Sequence, residues 1–288
     1  MNKIIYCVVF SIVCLSCSHP AKKVKVEVQN NGVHIDYTDS GAGDTTLLFV
    51  HGWCINKSYW SNQVAYFSKR YRVVTIDLPG FGESGKNRKS FTTLTFAADV
   101  DTVISQLHLN KVILIGHSMS GDIVLQAAID AHKKVIGFVG IDNFKNVGIV
   151  HGDTAKQRAA YNEAINTLKH HFKKMAFEYI NQSLFYKTTS DSIKTRVLND
   201  VANADTTIAA TCLEQNNFYE ADKLKQAKKK LYLINSDVYP TDTTGLIAKK
   251  LPYKILYIRT TGHFPMIEKP KEFNIALQQV IREMKKDQ

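Results

Sequence analysis

Cysteine is scarce. The 288 residues hold only five, and Cys7, Cys14 and Cys17 all fall in an apolar leader. Cys54 and Cys212 are what remain, so no disulfide framework of the kind that staples small secreted domains can form. Stability must come from an apolar core, and a composition 44% hydrophobic and 22% charged is that of an ordinary globular chain able to build one. Acidic residues are in deficit, 26 Asp and Glu against 37 Lys and Arg, for a formal net charge of +11. The lysines are nevertheless scattered, as pairs near Lys22 and Lys285 and as the run Lys228 to Lys230, with no aromatic interleaving. That argues against nucleic-acid binding and for solvated lysines on helix faces, leaving attraction to an anionic membrane surface open. No H-E-x-x-H, Cys-His zinc spacing or Walker loop occurs, so no metal or cofactor is expected. Gly41-Ala42-Gly43 reads as a turn rather than a phosphate cradle, because no helical pattern follows it.

Apolar runs of bilayer-spanning length are missing too, and the leader itself falls short of one. Lys3 is followed by an unbroken apolar run from Ile4 to Phe10, then Ile12 and Val13, and small residues from Ser16 to Ser18. A positive start, a short apolar middle and a small-residue exit describe a secretory leader, too short for the ~20 residues a bilayer span takes. Cys14-Leu15-Ser16-Cys17 resembles the lipobox of bacterial lipoproteins. That resemblance makes Cys17 the candidate lipidation site and the cell envelope or periplasm the expected location, with a lipid anchor in the membrane.

What is present is a regular alternation. "VKVEVQ" and "VHIDYTD" flank Asn30-Asn31-Gly32 and read as a β-hairpin. "TTLLFVHG", "YRVVTIDLPG", "KVILIGHS", "VIGFVGIDN", "KKLYLINSD" and "KILYIRTTGH" are continuous apolar runs, as strands buried on both faces require. Helical periodicities lie between them: Phe96 to Leu107, Ile123 to Ala128, and Phe273 to Met284. The fold class is therefore α/β, a mainly parallel sheet with helices on both faces, whose ligands bind beyond the carboxyl ends of the strands. One segment, about 147–224, has no strand run. Tyr161, Ile165, Leu168, Phe172, Met175 and Tyr179 recur there at helical spacing, and Ile193, Val197 and Val201 follow a "TTSD" cap. It is expected to be a helical cap inserted in a core formed by 24–146 and 225–288.

In "KVILIGHSMSGDIVLQAA" a buried strand hands over to an amphipathic helix through Gly116-His117-Ser118-Met119-Ser120. Only small residues fit the flanks of so tight a corner, which explains Gly116, Ser120 and Gly121. The turn pushes the Ser118 hydroxyl outward and leaves the Met119 N–H at a helix N-terminus, where an oxyanion is stabilised. This is a G-x-S-x-G elbow with serine in place of its last glycine.

Here the chain resembles the α/β-hydrolase superfamily, esterase- or lipase-like and with a helical cap, from about Val24 onward. "LLFVHGWCINKSYW" is similar to that family's oxyanion loop, "TIDLPGFGES" to the loop after its next strand, and "TTGHFPMIEKP" to the loop that delivers its catalytic histidine. The resemblance implies His263 as catalytic base, with Trp53 and Met119 as backbone donors to the oxyanion. For the acid it implies Asp237, after the penultimate strand, where "NSD" followed by an aromatic and a proline resembles the acid loop of homoserine acetyltransferases. Asp142, ending the preceding strand at the site some dehalogenase-like members use, is the alternative. His117 and His51 are assigned to shaping their loops, His151, His170 and His171 to exposed helical regions, and Asp77 and Glu83 to loop stabilisation. Dehalogenases and epoxide hydrolases of this fold need an aspartate where Ser118 stands.

The expected activity is hydrolysis of a carboxylic ester through an acyl-enzyme, with a small-molecule substrate and no nucleic-acid partner. Acyl transfer and a non-catalytic ligand-binding module on the same fold are the alternatives. Phe172, Phe177, Tyr179, Phe185, Tyr186 and Trp53 suggest an apolar substrate group, and Cys54 a space-filling neighbour.

Overall fold

A computed structural model describes residues 26–149, 155–214 and 218–286. The leader, Cys17 and His151 lie outside the described residues. Each long apolar run is a strand. After the small hairpin of β1 (Gln29–Asn30) and β2 (Val33–His34) come β3 (Tyr37–Asp39), β4 (Thr46–Val50), β5 (Arg72–Ile76), β6 (Val112–His117), β7 (Val135–Ile141), β8 (Leu231–Ser236) and β9 (Tyr253–Ile258). Asn31 and Gly32 both take positive φ, 51° and 78°, as the hairpin turn between β1 and β2 requires.

Strands β3 to β9 form one sheet in the order β3-β5-β4-β6-β7-β8-β9, parallel except for β3, which runs antiparallel to β5. Every residue of β4, β6 and β8 is buried, because helices cover both faces. On one face α2 (Thr93–Gln106) packs beside α3 (Ser120–Asp130), and α3 beside α8 (Glu220–Ala227). The other face carries α1 (Ser61–Phe67) and, after the short α9 (Thr244–Ala248) and α10 (Pro265–Glu268), the long α11 (Pro270–Lys286). Phe49 of β4, Trp60 and Phe273 of α11 interlock there, with Trp60 fully buried and 5.0 Å from the Phe49 ring.

The cap lies between β7 and β8 and consists of α4 (Ala155–His170), α5 (Phe172–Ser183), α6 (Asp191–Asn203) and α7 (Thr206–Thr211). The periodic run from Tyr161 to Tyr179 is two helices, not one, because His171 leaves helical geometry at φ −126°, ψ 35°. Ser190 caps α6 by accepting the Ile193 N–H. Although α8 begins inside the segment read as cap, it packs on α3 and so belongs to the core layer. Polar bonds hold the cap to the core: Tyr59 donates to Asp200 at 2.6 Å beneath the Arg196 guanidinium, and Thr189 donates to Glu268 at 2.6 Å. Among the described residues no helix is long and apolar enough to cross a membrane.

Candidate active site

Ser118 follows β6 directly and holds φ at 54°, a left-handed conformation that costs a serine on the order of 1–2 kcal/mol. The surroundings over-determine it. Its N–H donates to the Ile141 carbonyl at 2.9 Å, and Asn143 Nδ2 donates to the carbonyls of Gly116 and Ser118. A Cβ on Gly116 would stand 2.3 Å from the Ser120 carbonyl oxygen, so glycine is obligatory there. Ser120 does more than save space. Its buried hydroxyl donates to the carbonyl of His51, tying the elbow to the loop after β4, a link that glycine could not make.

That loop carries Gly52 and Trp53. A Cβ on Gly52 would approach His117 Nδ1 to 2.5 Å and Ser118 Cβ to 3.1 Å, so the loop lies directly against the elbow. The Trp53 indole donates to the Ala209 carbonyl of α7 at 2.7 Å and leans on Phe172 of α5, joining loop to cap. Among the described residues, no acceptor takes the backbone N–H of Trp53 or of Met119. His51 shapes this loop: its Nε2 accepts the Leu78 N–H, which leaves the proton on Nδ1 to reach the Gly52 carbonyl. Burial lowers the His51 pKa, in keeping with that neutral form.

His263 arrives from the loop between β9 and α10, its N–H donating to Leu184 of the cap at 2.7 Å. Its Nδ1 lies 2.6 Å from Asp142 Oδ2. The other Asp142 oxygen accepts from the Ser236 N–H at 2.8 Å, the Ser236 hydroxyl at 2.9 Å and Lys145 Nζ at 2.7 Å. Burial alone would raise the Asp142 pKa. The hydrogen bond and charge of His263, with Lys145, outweigh it and hold the carboxyl well below the usual carboxylate range. In the neutral ring, a charged acid there holds the proton on Nδ1 and so turns Nε2 into the acceptor.

Asp237, the preferred acid from sequence, does not make this bond. It accepts the Thr260 N–H at 2.9 Å and lies 3.7 Å from Arg259, pinning the β8 loop to the β9 loop. The reason is local: β8 ends with Ser236 turned onto Asp142, and the next residue faces the neighbouring loop. Asp142 itself reaches His263 from a left-handed turn at φ 48°. Lys145, Asn143 and Ser236 were not singled out in the sequence. No motif or periodicity in the sequence marks them.

His117 is 1% exposed. Its Nε2–H donates to the His263 carbonyl at 2.8 Å, and its ring lies 4.7 Å from that of His263. Burial and the neighbouring His263 push its pKa down to about 3, so it stays neutral. Asp77 accepts from the Lys57 and Glu83 N–H groups and from Lys57 Nζ, stabilising its loop as expected.

Ser118, Met119, Trp53 and His263 open on one cavity of about 540 Å³ whose far wall is the cap. Of the cap aromatics expected near substrate, Tyr179 lines it, and so does Cys212; Cys54 is buried outside it. Among the described residues no group of His, Cys, Asp or Glu is arranged to hold a metal ion.

A family model described as the alpha/beta hydrolase fold matches residues 45–270. A putative non-heme chloroperoxidase from Synechocystis is 39% identical over 94 residues, 32% of this chain and 34% of that protein. A soluble epoxide hydrolase from Corynebacterium is 33% identical over 100 residues, 35% of each chain. The chain spans about a third of the length of the curated relatives it matches. Among solved structures, a thermophilic esterase from Thermogutta terrifontis superposes with a TM-score of 0.77 at 18% identity, covering 90% of this chain and 98% of that one.

Proposed function

Because the chain belongs to the alpha/beta hydrolase fold family, we propose that it is a serine hydrolase cleaving carboxylic esters through Ser118, His263 and Asp142. One observation carries the reading. A serine held at φ 54° on a strand-to-helix corner shares a cavity with a histidine whose Nδ1 is 2.6 Å from a buried carboxylate.

His263 Nε2 takes the Ser118 proton as the oxygen attacks the ester carbonyl. Asp142 holds the imidazole in the required tautomer and stabilises the imidazolium that forms. The Met119 and Trp53 N–H groups bind the oxyanion, and losing one such donor costs ~3 kcal/mol of transition-state stabilisation. His263 then returns the proton to the departing alcohol, and water hydrolyses the acyl-enzyme by the same route. The cap wall of the cavity favours an apolar acyl or aromatic group. The relative named as an epoxide hydrolase points elsewhere, but that chemistry on this fold needs an aspartate nucleophile, and position 118 is serine.

A fluorophosphonate probe and a panel of p-nitrophenyl esters of graded chain length, run beside lactone and amide substrates, test this. Wild type is expected to label at Ser118 and hydrolyse esters, and Ser118→Ala to do neither. Ester cleavage that persists undiminished in Ser118→Ala overturns the reading. Acyl products formed only when an alcohol is added would reassign the enzyme to acyl transfer.

A further inference from the structure

The amino ends of the parallel strands, opposite the catalytic cavity, are rich in lysine. Lys111 precedes β6, Lys133 and Lys134 precede β7, and Lys228, Lys229 and Lys230 precede β8. These three strands are adjacent in the sheet, so residues far apart in sequence form one face. The Lys134 carbonyl accepts the Val112 N–H at 2.8 Å, which fixes the first two groups side by side. His132, Lys133 and Lys228 to Lys230 line a groove of about 410 Å³ floored by Gly137 and Met284.

Capping of helix ends is the competing explanation, since α2, α3 and α8 all terminate here. Each helix C-terminus amounts to roughly −0.5 charge, about −1.5 for the three, which six ammonium groups far exceed. Asp44, Asp130 and Glu283 are acids near these strand starts; Asp44 and Asp130 are not ion-paired with the lysines, and Glu283 pairs with Lys254 and acts on Lys230. Lysines elsewhere find partners, Lys57 with Asp77 and Lys145 with Asp142, and at this end Lys254, near the start of β9, pairs with Glu283. Among the described residues, Lys111, Lys133, Lys134, Lys228 and Lys229 have no ion-pair partner. Lys111 and Lys228 even occupy left-handed backbone, at φ 46° and 52°, where asparagine or glycine is the easier residue.

We propose that this lysine face docks on the anionic headgroups of a lipid bilayer, turning the mouth of the catalytic cavity away from the membrane. Phosphate-bearing headgroups match its charge, and a face built from three parallel strand ends and the turns before them is broad enough to meet a surface rather than a single ligand. The lack of interleaved aromatics disfavours a nucleic-acid strand.

The test is sedimentation of the full chain with vesicles of phosphatidylcholine alone or mixed with phosphatidylglycerol, so that any apolar contribution of the leader is common to both. Binding is expected to be stronger to the anionic vesicles and to weaken with salt. Each lysine near the surface contributes about a fivefold factor, so Lys111→Asn, Lys133→Gln and Lys228→Asn together are expected to lower the partition on the order of a hundredfold. Asparagine suits the left-handed positions, and an unchanged melting temperature keeps the comparison clean. The control removes Lys156, Lys173 and Lys174 from the exposed cap helices as glutamines. Equal affinity for both vesicle types, equal weakening by the cap variant, or tighter binding of single-stranded RNA through the same lysines overturns the proposal.

Discussion

The two ends of the sheet are built by the same alternation of strand and helix and finished in opposite ways. At the carboxyl ends stand His51, Asp77, Ser118, Asp142 and Asp237, and four of these five side chains are hydrogen-bonded to a named partner, the Ser118 hydroxyl alone excepted. At the amino ends of β6, β7 and β8, Lys111, Lys133, Lys134, Lys228 and Lys229 have no ion-pair partner among the described residues, whereas Lys254 of β9 pairs with Glu283. Right-handed crossovers put every strand-to-helix turn at one end, so that end can gather groups from distant parts of the chain into fixed geometry. At the other end Lys111, Lys133 and Lys228 are exposed, and their charge needs no internal partner. Chemistry calls for preorganised groups, and that is what distinguishes the carboxyl ends.

The sharpest way to break this contrast is at the unbonded hydroxyl. Ser118→Ala is expected to lower kcat for ester hydrolysis by at least ~10⁴-fold with little change in thermal stability, since alanine keeps the same left-handed backbone and the hydroxyl has no hydrogen-bond partner among the described residues to lose. The two acids come next. Asp142→Asn is expected to cost on the order of 10⁴-fold in kcat, because the amide favours the wrong imidazole tautomer. Asp237→Asn should leave kcat within about threefold and lower the melting temperature slightly through the Thr260 bond. Equal losses in the two variants would remove Asp142 from its special position. Smaller again is Ser120→Ala, which leaves the buried His51 carbonyl unpaired at a cost of about 1–3 kcal/mol, readable as a lower denaturation midpoint. An unchanged midpoint would mean that the elbow and the oxyanion loop are not held together by this bond.

The strands were readable because burial on both faces writes unbroken apolar runs, and all six such runs from Thr45 to His263 contain a strand. The elbow was readable because its steric demands leave few choices, as the contacts of a Cβ on Gly116 show. The partner of His263 was not. Whether Asp142 or Asp237 faces the imidazole depends on one left-handed turn at Asp142 and on where Ser236 points, and neither leaves a mark in periodicity or spacing. The hydroxyl of Ser120 was equally hidden, since a small residue satisfies the turn whether or not it donates to His51. Tertiary polar bonds decide these points, and they join residues 69 to 121 positions apart.

The least settled polar groups on the catalytic side are Asp122 and Glu220, at the N-terminal turns of α3 and α8, where two helix dipoles favour negative charge. Asp122 lines the cavity, and the two carboxyls are hydrogen-bonded to one another. Burial pushes Glu220 up to about 7, and burial together with Glu220 pushes Asp122 well above the usual range. Unfolded, both would ionise near pH 4. Between that pH and about 7 the folded chain therefore holds protons that the unfolded chain has lost, and stability falls as pH rises through this window. Lys111, Lys133 and Lys228 at the amino ends avoid such conflict by facing water, whereas burial lowers the pKa of Lys229 there and raises those of these two acids. Asparagine at 122 mimics the protonated acid, so Asp122→Asn should match wild type in melting temperature near pH 5 and exceed it near pH 8. Net charge and the other titrating groups shift both proteins alike, which makes the difference between the curves the readout. Parallel curves would show that the pair carries no shared proton and that the catalytic side is as electrostatically settled as its other hydrogen bonds suggest.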